Sequence, residues 1–198
     1  MKPTTDTEYI HKLVAEGEHI HQDFKFAISD ARKIAKSLSA FANTEGGRLL
    51  VGVKDNGKIA TLYCKPIIKV ENRIYKVEGK DILEVRVPEY TQKPVCALDE
   101  EGKAWAYIRI KDENILANPV HLKMWQHNQE EEVVMAYTDK EQSLLNLLRQ
   151  HETLTLNQCC RLSRLPRRQM CELLADFIRF ELIEPVFKEH TFYYRLSK

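Results

Sequence analysis

The chain has 198 residues with a formal net charge of +1, 43% hydrophobic and 30% charged, the make-up of a globular protein with room for one large domain or two small ones. This composition excludes disorder and collagen-like structure, and near-neutrality means that any affinity for nucleic acid has to come from local patches. No apolar run approaches the roughly 20 residues of a membrane span and the first seven residues are polar, so the expectation is a cytoplasmic chain with no membrane partner.

Residues 6–15 read as a short helix stopped by Gly17. In 22–28 the alternation of Phe24, Phe26 and Ile28 with Asp23 and Lys25 predicts a half-buried strand with a polar outer face. Asp30 then suits an N-cap, and Ile34, Leu38 and Phe41 repeat at helical spacing down to Gly46 and Gly47, which can take the left-handed conformation that ends a helix. A strand over 48–53 follows, and Asp55, Asn56 and Gly57 are turn residues. Residues 73–77, 82–87 and 104–110 are β-rich runs parted by Glu78-Gly79-Lys80, Pro88, Pro94 and Glu101-Gly102. The first half is therefore expected to be α+β with a mostly antiparallel sheet.

The composition changes at 126–137, where Gln129, Glu130, Glu131 and Glu132 form an acidic stretch. This divides the chain into a domain over 1–125, a linker over 126–137 and a small domain over 138–198. In the last of these, Thr138 and Asp139 cap a helix carrying Leu144, Leu145 and Leu148, and 156–162 is a second, short helix. Pro166 opens a third with the stripe Met170, Leu173, Leu174, Phe177 and Ile178. Residues 183–187 and 192–196 read as two strands. Three helices followed by a β-hairpin is the order of a winged helix-turn-helix.

Such a module sets the start of its last helix in the major groove, where side chains reach phosphates and base edges. Here that turn carries Arg161, Arg164, Arg167 and Arg168 with no acid among residues 161–168, the strongest local charge bias in the chain. Gln169 is available for a base edge, and Lys188 and His190 stand at the wing tip. The competing reading is a solvated basic face on a module used for dimerisation or protein contact.

Two segments of the first half carry a family resemblance: Glu16-Gly17-Glu18-His19-Ile20-His21-Gln22-Asp23-Phe24-Lys25, and the run 39–57, which contains Ala40-Phe41-Ala42-Asn43-Thr44-Glu45-Gly46-Gly47 and Leu49-Leu50-Val51-Gly52-Val53-Lys54-Asp55-Asn56-Gly57. They resemble the Schlafen AlbA-type (divergent Alba-like) domain, with Lys93-Pro94 and Tyr107-Ile108-Arg109 similar to later strand signatures, over roughly residues 8–120. Asp23 stands where the family usually has Glu, and the segment between Gly57 and Arg73 is short. The resemblance implies a nucleic-acid-binding domain. In nuclease members it implies three acids that bind a divalent cation and cleave RNA, mapping onto Glu18, Asp23 and Asp55, with Lys25 beside Asp23 to meet a phosphate. Converging carboxylates can hold Mg²⁺ or Mn²⁺ and activate water; equally, Glu18 and Asp23 can pair with Lys25, and Asp55 can serve an Asx turn.

Other features read as structural. The five cysteines form no CxxC pair and are odd in number, which suggests neither a disulfide framework nor a zinc ribbon. His11, His19 and His21 lie close together without a Cys to complete a zinc set and read as surface histidines. No GxxxxGK[ST] is present, so there is no P-loop. Trp105, Tyr107 and Arg109 share a strand face that can stack on bases or be buried against a helix. The functional expectation is a homodimeric, DNA-binding transcriptional regulator that needs no cofactor. Leu147 and the aromatic strand with Phe192, Tyr193 and Tyr194 are the apolar residues offered for the dimer. The alternatives are a Mg²⁺- or Mn²⁺-dependent endoribonuclease and a non-catalytic assembly module.

Overall fold

A computed structural model describes residues 5–27, 30–52, 62–127 and 138–197. They divide into two compact units, Met1–Ala117 and Asn118–Lys198.

In the first unit, helix α1 (Asp6–Glu16) opens on a capping box. The Thr5 hydroxyl accepts the Glu8 N–H, the Glu8 carboxylate accepts the Thr5 N–H, and Gly17 ends the helix with φ +76°. Helix α2 (Ala31–Asn43) starts where the Asp30 carboxylate accepts the Arg32 N–H. The strands are β1 (Gln22–Lys25), β2 (Gly47–Val51), β3 (Cys64–Lys65), β4 (Glu71–Val77), β5 (Lys80–Val87), β6 (Cys96–Leu98), β7 (Ala104–Ile110) and β8 (Glu113–Leu116). One sheet runs β1-β2-β5-β4 and the other β3-β6-β7-β8. Among the described strands of this unit only β1 and β2 are parallel, joined through a helix by the crossover that parallel pairing requires; the other pairs are antiparallel. The fold is α+β with mostly antiparallel sheets. Glu78 and Gly79, both at positive φ, make the two-residue turn of the β4–β5 hairpin.

The faces of the first sheet have different covers. Phe24, Leu50, Tyr75, Val77 and Ile82 pack under Ile10 and Leu13 of α1. Leu49, Val51, Leu83 and Val85 pack under Ile34, Leu38 and Phe41 of α2, in one core with Cys64, Val95 and Ala97 from the second sheet and its approach. Helix α2 thus serves both sheets. Gly46 is left-handed (φ +73°), but Gly47 is not. A Cβ on Gly47 would lie 2.4 Å from the Phe41 ring, so its glycine answers to close packing of strand on helix.

Two details differ from the sequence pattern. The strand predicted over 22–28 is β1, which stops at Lys25; Phe26 is 91% exposed and Ile28 lies outside the described residues. Its polar face is not solvated either, because Asp23 is only 2% exposed beneath α2.

In the second unit, helix α3 (Pro119–His127) precedes α4 (Asp139–Gln150), β9 (Leu154–Thr155), α5 (Leu156–Ser163), α6 (Arg167–Arg179), β10 (Ile183–Lys188) and β11 (Thr191–Leu196). The strands form an antiparallel sheet in the order β10-β11-β9. Thr138 with Glu141, and Thr155 with Gln158, form capping boxes. The stripe Met170, Leu173, Leu174 and Phe177 is buried against Leu144, Leu148 and Tyr194. Helix α3 is absent from the sequence reading, which places residues 118–125 with the first half. The fully buried Val120 instead anchors this helix in the core of the second unit. Of the expected 126–137 linker, residues 128–137 lie outside the described residues. Among the described residues no helix is long and apolar enough to cross a membrane.

Candidate functional sites: a carboxylate pair and an arginine corner

Glu18 follows the glycine that ends α1, and a tight turn closed by reciprocal His19–Gln22 backbone hydrogen bonds carries it back toward β1. There its Oε1 accepts the Phe24 N–H at 2.9 Å. Asp23 sits beside it. The Lys25 ammonium donates to Asp23 Oδ1 at 2.8 Å, the Ser37 hydroxyl of α2 donates to Oδ2 at 3.0 Å, and Arg109 Nη1 of β7 lies 3.7 Å from Oδ2. Interaction with the Asp23 carboxylate, and then burial, raise Glu18 above the ordinary carboxylate range. Burial pushes Asp23 upward, but the interaction with Glu18, the Lys25 ammonium and Arg109 outweigh it and hold Asp23 below its ordinary value. The pair therefore carries its charge on Asp23 and keeps the proton longer on Glu18.

Arg109 is 3% exposed. Its guanidinium donates to Asn114 Oδ1 at 2.8 Å and to the Gln22 carbonyl at 3.1 Å, and it lies 5.3 Å from the centre of the Phe41 ring. On the same strand Tyr107 packs on the core under Lys36, and the Trp105 indole donates to Asp99. The face formed by Trp105, Tyr107 and Arg109 is thus engaged within the unit, the second of the two readings its pattern allows.

A divalent cation needs several converging oxygen ligands. Asp23 has both oxygens occupied, and the Lys25 ammonium stands where a cation would. Among the described residues no three His, Cys, Asp or Glu side chains gather to hold a metal, and Asp55 lies outside them. The described donors do not fit Mg²⁺ or Mn²⁺. Lys25, expected to meet a phosphate, is turned onto Asp23 instead. The histidines are separately engaged: His11 lies 3.7 Å from Glu78, His21 lies 3.3 Å from Glu45, and the His19 and His21 rings are 6.1 Å apart.

In the second unit, Arg161 stands near the end of α5. Arg164 caps that helix in the left-handed conformation (φ +52°), and Arg167, Arg168 and Gln169 occupy the first turn of α6. All five are exposed. Arg167 donates to Asn157 at 2.6 Å, and Arg168 lies 3.3 Å from Glu172, which also takes Lys123 at 3.3 Å. Lys188 and His190 are exposed at the hairpin tip, where Glu189 and His190 make a two-residue turn at positive φ. The α5–α6 corner brings the arginines and Gln169 together; Lys188 and His190 belong to a separate tip.

A profile of the family described as Schlafen, AlbA_2 matches residues 18–118, about half of the chain. The chain belongs to the Schlafen AlbA_2 family. Among solved structures, the DIP2311 protein of Corynebacterium diphtheriae is similar at 15% identity and a TM-score of 0.44, over 71% of this chain and 37% of that one. The N-terminal domain of a RecG-related protein from Nitrosomonas europaea is similar at 19% identity and a TM-score of 0.41, over 68% of this chain and 97% of that domain. This chain therefore spans well under half of the DIP2311 protein. No curated protein matches it.

Within the AlbA_2 domain, the end of α2 is built to complete strands. The Asn43 amide donates to the carbonyls of Val95 (2.7 Å) and Tyr107 (2.9 Å) and accepts the Val95 N–H (2.7 Å). The hydroxyls of Ser39 and Thr44 accept the N–H groups of Tyr107 (3.1 Å) and Arg109 (2.8 Å). A second feature of this unit escaped sequence reasoning. Glu84 of β5, 1% exposed, accepts hydrogen bonds from the hydroxyls of Tyr9 (3.0 Å) and Tyr75 (2.9 Å), with Arg86 Nε at 3.2 Å. The signal for it is an acid set in the apolar run Ile82-Leu83-Glu84-Val85, a position that requires partners when buried.

Proposed function

We propose that this AlbA_2 chain is a nucleic-acid-binding protein, a DNA-binding transcriptional regulator whose C-terminal unit is a winged helix reading duplex DNA. The observation that carries this reading is the exposed arginine corner at the start of α6, with Gln169 in the same turn. The three helices α4, α5 and α6, together with a sheet in which β9 joins the β10–β11 hairpin, support it as a frame that presents α6. Arg161, Arg164, Arg167 and Arg168 neutralise phosphates, Gln169 reaches a base edge, and Lys188 and His190 contact the backbone from the hairpin tip. The saturated Asp23 favours this binding role over metal-dependent cleavage.

Of the residues offered for the homodimer expected of such a regulator, Leu147, Phe192 and Tyr193 are half-buried and Tyr194 is withdrawn from the surface. Tyr194 is fully buried with its hydroxyl accepting from the Asn118 amide, while Phe192 and Leu147 pack on the core of their own unit.

The test is a salt titration of duplex DNA binding by the full chain. Affinity falls by about 0.9 log units per log unit of salt for each phosphate neutralised. Arg167→Ala/Arg168→Ala weakens binding and lowers that slope by about two. An unchanged slope in the double variant sinks the reading.

A further inference from the structure

A cleft of about 550 Å³ opens in the first unit where the turn after α2 meets β2, β5 and the approach to β4. Its arginines do not share the α2 face that buries Asp23, since Arg48 and Arg86 lie on the opposite sheet face, the one that carries Leu50 and Glu84 in alternation. Its charged lining is His21, Glu45, Arg48, Lys69, Glu71 and Arg86. Arg48 of β2 stands directly opposite Arg86 of β5, an arrangement of like charges that weakens a sheet unless an anion lies between them. Arg86 is held in place: its Nε lies 3.2 Å from the buried Glu84, and its Nη2 donates to the Tyr9 hydroxyl at 2.7 Å. Of the carboxylates in the cleft, Glu45 lies 3.3 Å from His21, and Glu71 stands in register with Arg86 across β4–β5. The guanidinium of Arg48 and the ammonium of Lys69 have no partner among the described residues.

A pinned guanidinium, a free guanidinium opposite it and a free ammonium make a donor set for a tetrahedral oxyanion, because guanidinium forks match phosphate oxygens two at a time. We propose that this cleft binds a phosphate group, with Arg48 and Lys69 as the contacting residues and Arg86 as the fixed wall. The assignment is independent of the arginine corner of the second unit. Two sources share this chemistry, a free nucleotide and the backbone of a single strand, and the volume holds a phosphate with its attached sugar.

The test follows backbone amides of the full ¹⁵N-labelled chain by NMR during titration with inorganic phosphate, a 5′-mononucleotide and a short single-stranded oligonucleotide. Saturable shifts are expected at Gly46, Gly47, Arg48 and Lys69. Arg48→Gln and Lys69→Gln each weaken them about tenfold or more, the loss of one charge-assisted contact, with the rest of the spectrum unchanged. Arg167→Ala/Arg168→Ala leaves these shifts intact, which separates this site from the proposed DNA surface. Tighter binding of the oligonucleotide than of the mononucleotide supports the site with a strand as its source, and the reverse order supports it with a nucleotide. Absence of saturable shifts with all three probes, or their persistence in the Arg48→Gln/Lys69→Gln double variant, overturns the proposal.

Discussion

If Asp23 and Glu18 were equal ligands of a metal, their amide variants would behave alike; the structure requires the opposite. Asp23 is buried, and its two oxygens face donors: Lys25 at one, Ser37 and Arg109 at the other. Ser37 cannot turn its hydroxyl around without loss, because it already accepts from the Asn114 amide at 3.0 Å. In Asp23→Asn, whichever way the new amide sits, its NH₂ meets a donor, and Arg109 keeps its burial without its counter-charge. Removing one partner from such a pair costs about 3–5 kcal/mol. At about 4 °C per kcal/mol for a unit of this size, the melting temperature falls by about 12–20 °C. Glu18→Gln keeps the carbonyl that accepts the Phe24 N–H and can still donate to Asp23, so it stays within about 2 °C of wild type. The pH dependence carries the same signature. A carboxyl held below its ordinary value adds stability that is present above its unfolded pKa, so the Asp23 contribution is lost as the pH falls through its depressed value. A carboxyl held above it adds stability that is lost as the pH rises, so Glu18 gives none at neutral pH. Differential scanning calorimetry of the two variants at pH 7 decides the matter. A Tm for Asp23→Asn within about 3 °C of wild type, or equal losses in the two variants, refutes the assignment.

Three further outcomes follow from the packing. Asn43→Ala strands the Val95 N–H and the Tyr107 carbonyl, while the Val95 carbonyl keeps the Ser39 hydroxyl at 2.7 Å, and lowers the stability of the first unit by about 3 kcal/mol in urea denaturation; an effect below 1 kcal/mol contradicts the bridging role. Gly47→Ala drives a Cβ into Phe41 and costs about 1–3 kcal/mol, part of which Phe41→Leu restores; a Gly47→Ala loss that Phe41→Leu leaves unchanged places the strain elsewhere. His121, whose ring lies 4.7 Å from that of Phe192, is pushed down to about 4 by burial. The unfolded chain therefore binds the proton first, and the second unit loses stability at up to about 1.4 kcal/mol per pH unit as the pH falls from about 6.5 toward 4. Trp125 fluorescence in a Trp105→Phe background follows this loss, and His121→Gln flattens it if the assignment is right.

The helices of both units were legible because their caps and stripes are local. Thr138, Asp30 and Pro166 stand at or beside helix starts, and Leu173, Leu174 and Phe177 show the helical period. Helix α3 was not read, although its start carries a cap of the same kind: the Asn118 carboxamide accepts the Val120 and His121 N–H groups, with Pro119 following. The short strands β3 and β6 were not legible, since two or three residues hold no period; β6 owes its place to β7 and β3 to β6. Nor could alternation reveal that the Asp23 side of β1 lies under a helix. A polar residue facing a helix and one facing water look the same in sequence, and Ser37, Arg109 and Asn114, the partners that permit burial, come from distant parts of the chain. Of the candidate site residues, Asp55 lies outside the described residues. The adjacency of Glu18 and Asp23 was foreseeable, but the occupation of Asp23 by Lys25 was not.

The strand-completing side chains at the end of α2 bear on how the first unit can open. The backbone groups of Val95, Tyr107 and Arg109 make with Asn43, Ser39 and Thr44 the hydrogen bonds that another strand would otherwise supply, and the apolar face of α2 closes the core of the β1-β2-β5-β4 sheet. Releasing the β6–β7 corner therefore means withdrawing the same helix that covers Leu49 and Val85. Such an arrangement ties both sheets into one cooperative block, with opening of the second sheet set near the free energy of global unfolding. The Ala40–Asn43 run, read first as a mark of family, acts in this respect as the fastener of the domain.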